Sequence, residues 1–477
     1  MTSTQAPSQA FIAGQWHTAD GTFAVANPAT GETLAEVADC GEREAQASAD
    51  AAVDAWSDWA NATAYERAAR LRAWHDLIIE HKEGIAQTIS QEMGKPITEA
   101  RGEVNFSSMF AEWYAEEAKR VYGESIPSQA PHKRLHVIKQ AVGPSFGITP
   151  WNFPAAMVTR KVAPALASGS PFILKPAEQA PLTSLYFAWL WEQADGPAGT
   201  FQVLPALDPK PVSESLVNDD RIRKLTFTGS TEVGKALYAQ SAQTLKRVSL
   251  ELGGHAPFLI FEDADIEKAV EQTMVAKFRN IGQSCVAANR LYVAPSIERD
   301  FAEAYAEAAQ KLNVGDPLRD DTQIGPLVDE QGLEKVKRHV QESVDKGAKV
   351  LTGGSVRDGL FYEPTVLTGV DDGMPLMEEE TFGPVAPIQP YESEDEAIRQ
   401  ANQSPYGLAA YIWTRDLERA YRVAEALDYG IIGVNDGVPS TPQAPFGGVK
   451  FSGIGREGGK WGIEEYLETK FISVGLD

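Results

Sequence analysis

Apolar residues follow two different patterns along this chain, and the change between them comes near residue 140. The first ten residues show neither pattern and are expected to be disordered. Residues 11–40 contain short apolar runs broken by the turn sequences AGQ, ADG and NPATG, so short strands are predicted there. Residues 43–60 and 64–93 have helical periodicity, and each range predicts one amphipathic helix. One face of the second helix is interpreted as core, and it carries Leu71, Trp74, Ile78, Ile85 and Ile89.

Beyond residue 140, strand-like apolar runs alternate with helical segments. The first block of runs consists of FGIT (146–149), PFILK (171–175), FQVLP (201–205), KLTFT (224–228) and RVSLEL (247–252). This alternation is typical of a parallel sheet of the dinucleotide-binding, Rossmann kind. A second block, from 255 to about 440, contains APFLIF, RLYVA, AAYIWT and GIIGVN and predicts a second α/β domain. The expected fold class is therefore α/β.

Two further strand-like segments stand apart from these blocks. They are RLHVIKQ (134–140) and YLETKFISV (466–474). Isolated strands far apart in sequence often pair with each other, and an exposed strand edge invites pairing with another subunit.

Length, charge and cysteine content narrow the functions that fit. A chain of 477 residues exceeds what one core usually serves, so two or three domains are expected. A formal charge of −24 argues against nucleic acid or an anionic membrane as a partner. Two cysteines in this length indicate a reducing compartment, and no signal peptide or apolar span is recognised, so a cytoplasmic location is expected. The seven histidines and two cysteines form no Cys/His cluster, so no metal site is expected.

Three residues are candidates for covalent chemistry. Cys285, in KFRNIGQSCVAANR, follows a polar turn rather than a core strand, and a thiolate is a strong nucleophile toward carbonyls. Glu251 ends an apolar strand in SLELGGH, where desolvation raises a carboxyl pKa toward that of a general base. Asn152 lies between two prolines in TPWNFP, and an amide held there can donate to a developing oxyanion. Taken singly, each also fits an ordinary core or turn position, as Cys40 in VADCGERE does.

Three other segments fit a dinucleotide. LTFTGSTEVGKAL leads from a strand through a glycine turn into a helix, the geometry that binds a phosphate at a helix N-terminus. It lacks the middle glycine of GxGxxG, so alone it is a weak motif. ILKPAEQAP places Lys175 and Glu178 after a strand, where they could meet an adenosine ribose. MEEETFGPV is an acidic run that alone indicates only a solvated surface.

Six motifs occur in order across nearly the whole chain: PWNFP, GSTxxG, LELGG, GQSC, EExFGP and PFGGVKxSGxGRE. With them the chain resembles the aldehyde dehydrogenase superfamily. MVTRK, FRNxGQ and KWGIEEYLETKF add a resemblance to succinate-semialdehyde dehydrogenases. The family fold implies a Rossmann-type nucleotide domain (1–133 and 141–251), a catalytic domain (252–450) and a β oligomerisation arm (134–140 and 466–477). A homodimer or homotetramer is implied.

The resemblance also implies roles for single residues. Cys285 attacks the aldehyde, and Asn152 with the Cys285 backbone amide stabilises the thiohemiacetal oxyanion. After hydride transfer to the nicotinamide, Glu251 activates the water that hydrolyses the thioester. The residues implied to contact the dinucleotide are Trp151, Asn152, Lys175, Glu178, Gly229, Ser230, Leu252, Glu380 and Phe382.

Substrate and cofactor preferences follow from four residues. Arg160, Arg279 and Ser440 match residues with which succinate-semialdehyde dehydrogenases bind the substrate carboxylate, a task that suits guanidinium groups. The alternative is that each arginine only makes a salt bridge in this acidic protein. Glutarate semialdehyde, 2-oxoglutarate semialdehyde and a broad range of aldehydes remain alternatives to succinate semialdehyde. Glu178 predicts NAD, with NADP as the alternative, because a carboxylate repels a 2′-phosphate.

Three other functions are weighed. CoA-acylating members of the superfamily typically lack the base, so Glu251 argues against that activity. A non-catalytic, crystallin-like protein has no need of an intact set of catalytic residues. A papain-like hydrolase requires a histidine beside the nucleophile, and His255 is the one candidate. Ala287 stands where some close relatives carry a second cysteine, so no intramolecular disulfide switch is predicted.

Overall fold

The computed structural model describes residues 7–476. Part of the disordered N-terminus predicted from the sequence, residues 1–6, lies outside the described residues, as does residue 477. The first strands are β1 (Ala10–Ile12), β2 (Gln15–His17), β3 (Gly21–Ala26) and β4 (Thr33–Asp39). The next helices are α1 (Glu42–Asn61), α2 (Ala64–Glu80), α3 (Lys82–Met93) and α4 (Ile97–Glu117), followed by a 3-10 turn at Ala118–Arg120. Two strands then follow, β5 (Glu124–Ile126) and β6 (Lys133–Ala141).

Strands and helices alternate from residue 145 to residue 251. The strands are β7 (Ser145–Ile148), β8 (Phe172–Lys175), β9 (Phe201–Val203), β10 (Lys224–Thr228) and β11 (Arg247–Glu251). The helices between them are α5 (Ala156–Ser168), α6 (Pro181–Gln193), α7 (Pro209–Asn218) and α8 (Thr231–Ser241), with a 3-10 turn at Ala242–Thr244.

The rest of the described chain, from residue 256 onward, also contains both strands and helices. Its strands are β12 (Ala256–Ile260), β13 (Ala288–Val293), β14 (Lys349–Thr352), β15 (Val356–Asp358), β16 (Phe361–Tyr362), β17 (Thr365–Thr368), β18 (Val385–Pro390), β19 (Tyr406–Gly407), β20 (Ala409–Trp413), β21 (Ile431–Val434), β22 (Val449–Lys450), β23 (Gly453–Ile454) and β24 (Leu467–Gly475). Its helices are α9 (Ile266–Phe278), a 3-10 turn (Arg279–Gly282), α10 (Glu298–Gln310), α11 (Glu330–Asp345), α12 (Pro375–Glu378), α13 (Glu394–Asn402), α14 (Leu417–Ala426) and α15 (Gly459–Glu464).

The first large sheet has eight strands in the order β2-β1-β9-β8-β7-β10-β11-β23. Its five strands from β9 to β11 are parallel. The chain leaves β7 toward β8 and β9, then continues on the other side of β7 with β10 and β11. The carboxyl ends of β7 and β10 therefore form a topological switch point, where open α/β sheets bind their ligands. The predicted parallel sheet is confirmed.

The second large sheet has seven strands in the order β14-β17-β18-β13-β12-β20-β21. All are parallel to their neighbours except β14, which pairs antiparallel with β17. The α/β character predicted for the second block is confirmed. After this sheet, β23 pairs antiparallel with β11, so the C-terminal segment returns to the first sheet.

The two strands that stood apart in the sequence pair with each other. β24 lies antiparallel to β6 along its length, from Leu467 opposite Ala141 to Gly475 opposite Lys133, and β5 adds a third strand. Most of β24 is exposed, including Phe471. Among residues 7–476, no helix is both long enough and apolar enough to cross a membrane.

The prediction of one helix over 64–93 was wrong, because α2 ends at Glu80 and α3 starts at Lys82, with His81 between them. His81 has φ −94° and ψ 14°, which breaks the helical path. The five apolar residues of the predicted stripe nevertheless all have 0% exposure. The bend lets both helices keep their apolar faces against one core, which a periodicity count cannot reveal.

Glu92 links α3 to α6 inside this core. Its side chain is buried, and its carboxylate accepts hydrogen bonds from the backbone amides of Leu182 (2.8 Å) and Thr183 (3.0 Å). Both amides belong to the first turn of α6, whose donors have no partner within the helix.

We expect Glu92→Ala to lower the melting temperature by a few degrees, since each buried donor left unpaired costs ~1–3 kcal/mol. Glu80→Ala, at an exposed position at the end of α2, is the control and should shift it by about 1 °C or less. The melting temperatures of the two variants are compared with that of the wild type by calorimetry at one fixed scan rate. Equal shifts for the two variants would contradict the capping role.

Candidate active site

Two cavities meet at Cys285. The first, of about 290 Å³, is here named the arginine cavity, because Arg160 and Arg279 line it with Ser440 and Cys285. The second, of about 370 Å³, lies at the carboxyl ends of β7 and β10 and is named the switch-point cavity. Cys285 lines both and is partly exposed, whereas Cys40 is buried and lines neither.

The two arginines have few anionic partners. Arg160, on α5, is 4% exposed, and its Nε and Nη1 make no hydrogen bond. The carboxylate nearest to it belongs to Glu457, at 3.8 Å, and its guanidinium lies 4.1 Å from the ring centre of Phe446. The guanidinium of Arg279 lies 5.7 Å from the ring centre of Phe153, and no carboxylate oxygen of residues 7–476 is within 4.0 Å of it. The salt-bridge alternative therefore fits Arg279 poorly.

The backbone that precedes Cys285 is strained. Three consecutive residues have positive φ, namely Asn280 (54°), Ile281 (59°) and Gly282 (71°). This left-handed conformation is rare for a β-branched residue such as Ile281, so the surrounding structure must hold it in place. Glycine is required at Gly282 because a Cβ there would overlap the backbone carbonyl of Gly383.

The side-chain amide of Asn280 bridges the two candidate catalytic segments. Its Nδ2 donates to the backbone carbonyls of Asn152 and Gln283, at 2.9 Å each. Asn152, which is 3% exposed, donates through its own Nδ2 to the Gln283 carbonyl at 3.1 Å. An amide nitrogen carries two hydrogens, so Asn152 keeps one for an acceptor in the switch-point cavity that it lines. No sequence signal identified Asn280 as this bridge.

Cys285 has its sulfur in an environment that opposes ionisation. Burial raises the pKa of the thiol to about 12, and the carboxylates of Glu380 and Glu251 act in the same direction. Arg160 acts in the opposite direction but does not compensate. The thiol is therefore protonated at neutral pH in this state, and nucleophilic attack requires a base or a nearby cation.

Glu251, the base predicted from the sequence, ends β11 and is 4% exposed. Burial raises the pKa of its carboxyl well above the usual value, and Glu457 adds to this, while Lys161 and Arg160 oppose it. Its Oε2 has no hydrogen-bond partner. Glu251 lines neither cavity, so the structure does not present this carboxylate to the bound substrate without a rotation of its side chain.

Sequence analysis missed the charged neighbours of Glu251. Glu457, buried at the end of the PFGGVKxSGxGRE segment, accepts a hydrogen bond from Lys161 Nζ, and Lys161 also donates to Thr226 Oγ1 at 3.2 Å. Both segments carry motifs, but these residues are almost three hundred positions apart. A single sequence gives no signal for such a contact.

The switch-point cavity collects most of the residues predicted to bind a dinucleotide. Those that line it are Trp151, Asn152, Gly229, Ser230, Leu252, Glu380 and Phe382. Ser230 caps α8 by accepting from Val233 N at 3.3 Å, and the positive end of such a helix suits a phosphate. Trp151 and Phe382 meet edge to face, with ring centres 5.6 Å apart. Burial raises the pKa of Glu380 to about 7, and its Oε1 accepts from Gly254 N at 3.2 Å.

Two predicted contacts lie outside this lining. Lys175 and Glu178 follow β8 and pair with each other, Nζ to Oε2, at 3.2 Å. The cavity instead includes Gln179 and, from α11, Gln331 and Lys335, which sequence analysis did not select. Gln331 and Lys335 fall outside the motifs, and Gln179 lies in ILKPAEQAP directly after the selected Glu178.

His255 does not support the hydrolase alternative. His255 is 1% exposed, and its Nε2 lies 2.9 Å from the carbonyl of Met377. Burial lowers the pKa of His255 well below its usual value, which leaves it neutral. Within residues 7–476, no hydrogen bond joins it to Cys285. In the same range, no group of three or more His, Cys, Asp or Glu side chains could hold a metal ion.

Known proteins of similar sequence and structure indicate which family the chain belongs to. The model of the Aldehyde dehydrogenase family matches residues 16–472. The chain is similar to glutarate-semialdehyde dehydrogenase from Pseudomonas putida, with 48% identity over 98% of both chains. It is also similar to a succinate-semialdehyde dehydrogenase [NADP(+)] from Escherichia coli, with 49% identity over 98% of both chains.

A crystal structure of an E. coli NADP-dependent enzyme superimposes with a TM-score of 0.98. It is 48% identical and is matched over 100% of this chain and 99% of that one. The resemblance that the six sequence motifs indicated is confirmed, as are the fold class and the NAD(P)-dependent oxidation of aldehydes that go with it. The chain belongs to the aldehyde dehydrogenase family.

Proposed function

We propose that this protein oxidises an aldehyde that carries a carboxylate to the corresponding acid, with succinate semialdehyde as the main substrate and NAD as the preferred cofactor. In this proposal Cys285 is the nucleophile, Asn152 donates to the oxyanion and Glu251 is the base. The names of the two relatives described above, a glutarate-semialdehyde dehydrogenase and a succinate-semialdehyde dehydrogenase, denote enzymes that act on aldehydes of this class.

The observation that carries the substrate proposal is the pair of guanidiniums in the arginine cavity. A buried cation without a close anion is unfavourable, and a substrate carboxylate would relieve this cost. Arg160 is nearly fully buried with two nitrogens unpaired, and Arg279 has no carboxylate within 4.0 Å among residues 7–476. Cys285 and Ser440 line the same cavity, so an anion bound there would lie beside the nucleophile.

The chemistry follows from three side chains. The Cys285 thiol first releases its proton to solvent water, the thiolate adds to the aldehyde carbon, and the new oxyanion accepts a hydrogen bond from the unused N–H of Asn152. The residues of the switch-point cavity, among them Trp151, Ser230 and Phe382, would hold the nicotinamide cofactor, which would supply the hydride acceptor, and Cys285 would then carry the acyl group as a thioester. Glu251, as a carboxylate, then takes a proton from water, and the water oxygen attacks the thioester. The acid is released, and the departing Cys285 thiolate takes the proton back from Glu251 to become the thiol. Since Glu251 lines neither cavity, this last step requires its side chain to rotate toward Cys285.

Glutarate semialdehyde is the second candidate substrate. It is the substrate in the name of the P. putida relative, and it carries the same terminal carboxylate with one more methylene. Both compounds present the same anion to the arginines, so a comparison of their kcat/KM values ranks them. 2-Oxoglutarate semialdehyde and uncharged aldehydes belong in the same panel.

The proposal includes assembly and location. We infer a homodimer or homotetramer, supported by the long pairing of β24 with β6 and by the exposed apolar side chains of Phe471, Ile472 and Val474. The cytoplasm is the proposed location. Two free cysteines, Cys40 and Cys285, support it, since both agree with a reducing compartment.

Arg279→Leu tests the substrate proposal. We expect the ratio of kcat/KM for succinate semialdehyde to kcat/KM for butanal to fall by about tenfold to a hundredfold, because a charged hydrogen bond is worth ~1.5–3 kcal/mol. Butanal has the same carbon chain and no carboxylate. Arg299→Leu, at a highly exposed arginine, is the control and should leave the ratio unchanged. An unchanged ratio in the Arg279 variant would refute carboxylate binding.

Glu178→Ser tests the cofactor proposal. The wild-type protein should have a higher kcat/KM with NAD than with NADP. Removing Glu178 frees Lys175, its partner at 3.2 Å, to meet a 2′-phosphate, so the NADP to NAD ratio should rise by about tenfold. Glu214→Ser, at an exposed position on α7, is the control. A wild-type preference for NADP would overturn this part of the proposal.

A further inference from the structure

Residues 94–104 (GKPITEARGEV), which form the loop after α3 and the first turns of α4, have no role in the function proposed so far. Lys95 lies in its tight loop and has 0% exposure. Gly94 has φ 80°, and a Cβ there would lie 2.7 Å from Pro326 Cγ, so the loop is packed without room to shift. A lysine is rarely buried so completely unless its charge is used.

The ammonium of Lys95 contacts the turn that carries the oxyanion donor. Its Nζ donates to the carboxylate of Glu103 and, at 2.9 Å, to the backbone carbonyl of Asn152. It also lies 4.0 Å from the ring centre of Phe153. The Lys95 ammonium therefore makes its contacts with groups of the PWNFP turn and of α4.

Glu103 holds the far side of the same turn. It is 5% exposed, and its Oε1 accepts from the backbone amides of Ala155 (2.9 Å) and Ala156 (3.1 Å) at the start of α5. The carboxylate of Glu103 thus binds Lys95, which contacts the Asn152 carbonyl, and it also binds the two amides at the start of α5. These contacts hold the backbone on both sides of Asn152.

Glu99, one helical turn before Glu103 on α4, reaches the nucleophile loop. Its Oε2 accepts from the backbone amide of Asn280 at 2.7 Å, at the first of the three left-handed residues before Cys285. A single face of α4 therefore contacts both the turn of the oxyanion donor and the strained loop of the nucleophile.

We propose that Lys95, Glu99 and Glu103 are positioning residues that set the distance and angle between the Asn152 amide and the Cys285 sulfur. This inference rests on the proposed function, in which Asn152 donates to the oxyanion formed on Cys285. A buried ion pair is a poor device for stability alone, because desolvation cancels most of its attraction. A catalytic group misplaced by ~1 Å can lose about a hundredfold in rate.

A double-mutant cycle tests this proposal. Lys95→Met should lower kcat/KM about tenfold or more in the wild-type protein and less than about twofold in an Asn152→Ala background, because the group it positions is then absent. Equal losses in both backgrounds, or no loss in either, would overturn it. Glu112→Gln, at an exposed position of α4, is the control and should leave kcat/KM unchanged.

The rate at which iodoacetamide alkylates Cys285 separates positioning from general damage. Alkylation needs the sulfur but forms no oxyanion, so Lys95→Met should leave it within about twofold of wild type. A parallel fall in alkylation and in turnover would mean a structural role and would refute the inference. Should Lys95→Met not fold, Lys95→Met with Glu103→Gln removes the pair without leaving an unpaired buried carboxylate, and the same cycle applies.

Glu99 provides an independent measurement. Glu99→Gln keeps an acceptor for Asn280 N and should retain activity, whereas Glu99→Ala should lose about tenfold in kcat. Equal activity of the two variants would contradict the role of Glu99. Asn152→Ala alone reports on the proposed function: full activity would remove Asn152 as the oxyanion donor. A strong loss there with a neutral Lys95→Met would overturn only the positioning role.

Discussion

The strained turn before Cys285 is the feature on which the rest of the site depends. Its three left-handed residues are held in place by Asn280. The side-chain amide of Asn280 donates to two backbone carbonyls, and its backbone amide donates to the Glu99 carboxylate. The side-chain amide of Asn280 also connects this turn to Asn152, which follows β7 of the eight-stranded sheet. Sulfur and oxyanion donor are thus joined by hydrogen bonds before any substrate arrives, which is the preorganisation that carbonyl chemistry needs.

Electrostatics divides the site into two halves with different demands. The arginine cavity is lined by Lys95, Arg160 and Arg279 and by the carboxylates of Glu99 and Glu103, and it leaves two nitrogens of Arg160 without a hydrogen bond. Around the sulfur, the carboxylates of Glu380 and Glu251 favour the protonated thiol of Cys285, and Glu457 favours the protonated carboxyl of Glu251. An anionic substrate is attracted to the unpaired guanidinium nitrogens, whereas the carboxylates set the protonation of the nucleophile and of the base.

The sequence was sufficient for what depends on local pattern. Alternation of apolar runs predicted the first parallel sheet and the α/β character of the second block, and motif order indicated Cys285, Asn152 and Glu251. It was insufficient wherever a contact joins distant segments or a helix bends: the break at His81, the Lys161–Glu457 contact and the partners of Lys95 are set by tertiary packing. The raised pKa of Glu251 likewise depends on burial and on charged neighbours from distant segments, and no spacing rule encodes it.

The most direct test of this account is the identity of the covalent intermediate. Glu251→Gln protein, mixed with NAD and succinate semialdehyde and quenched in acid, should carry one succinyl group, and peptide mass spectrometry should locate it on Cys285. The amount should match a burst of NADH of one per site. Full turnover by Cys285→Ser, or an acyl group on a different residue, would contradict the account.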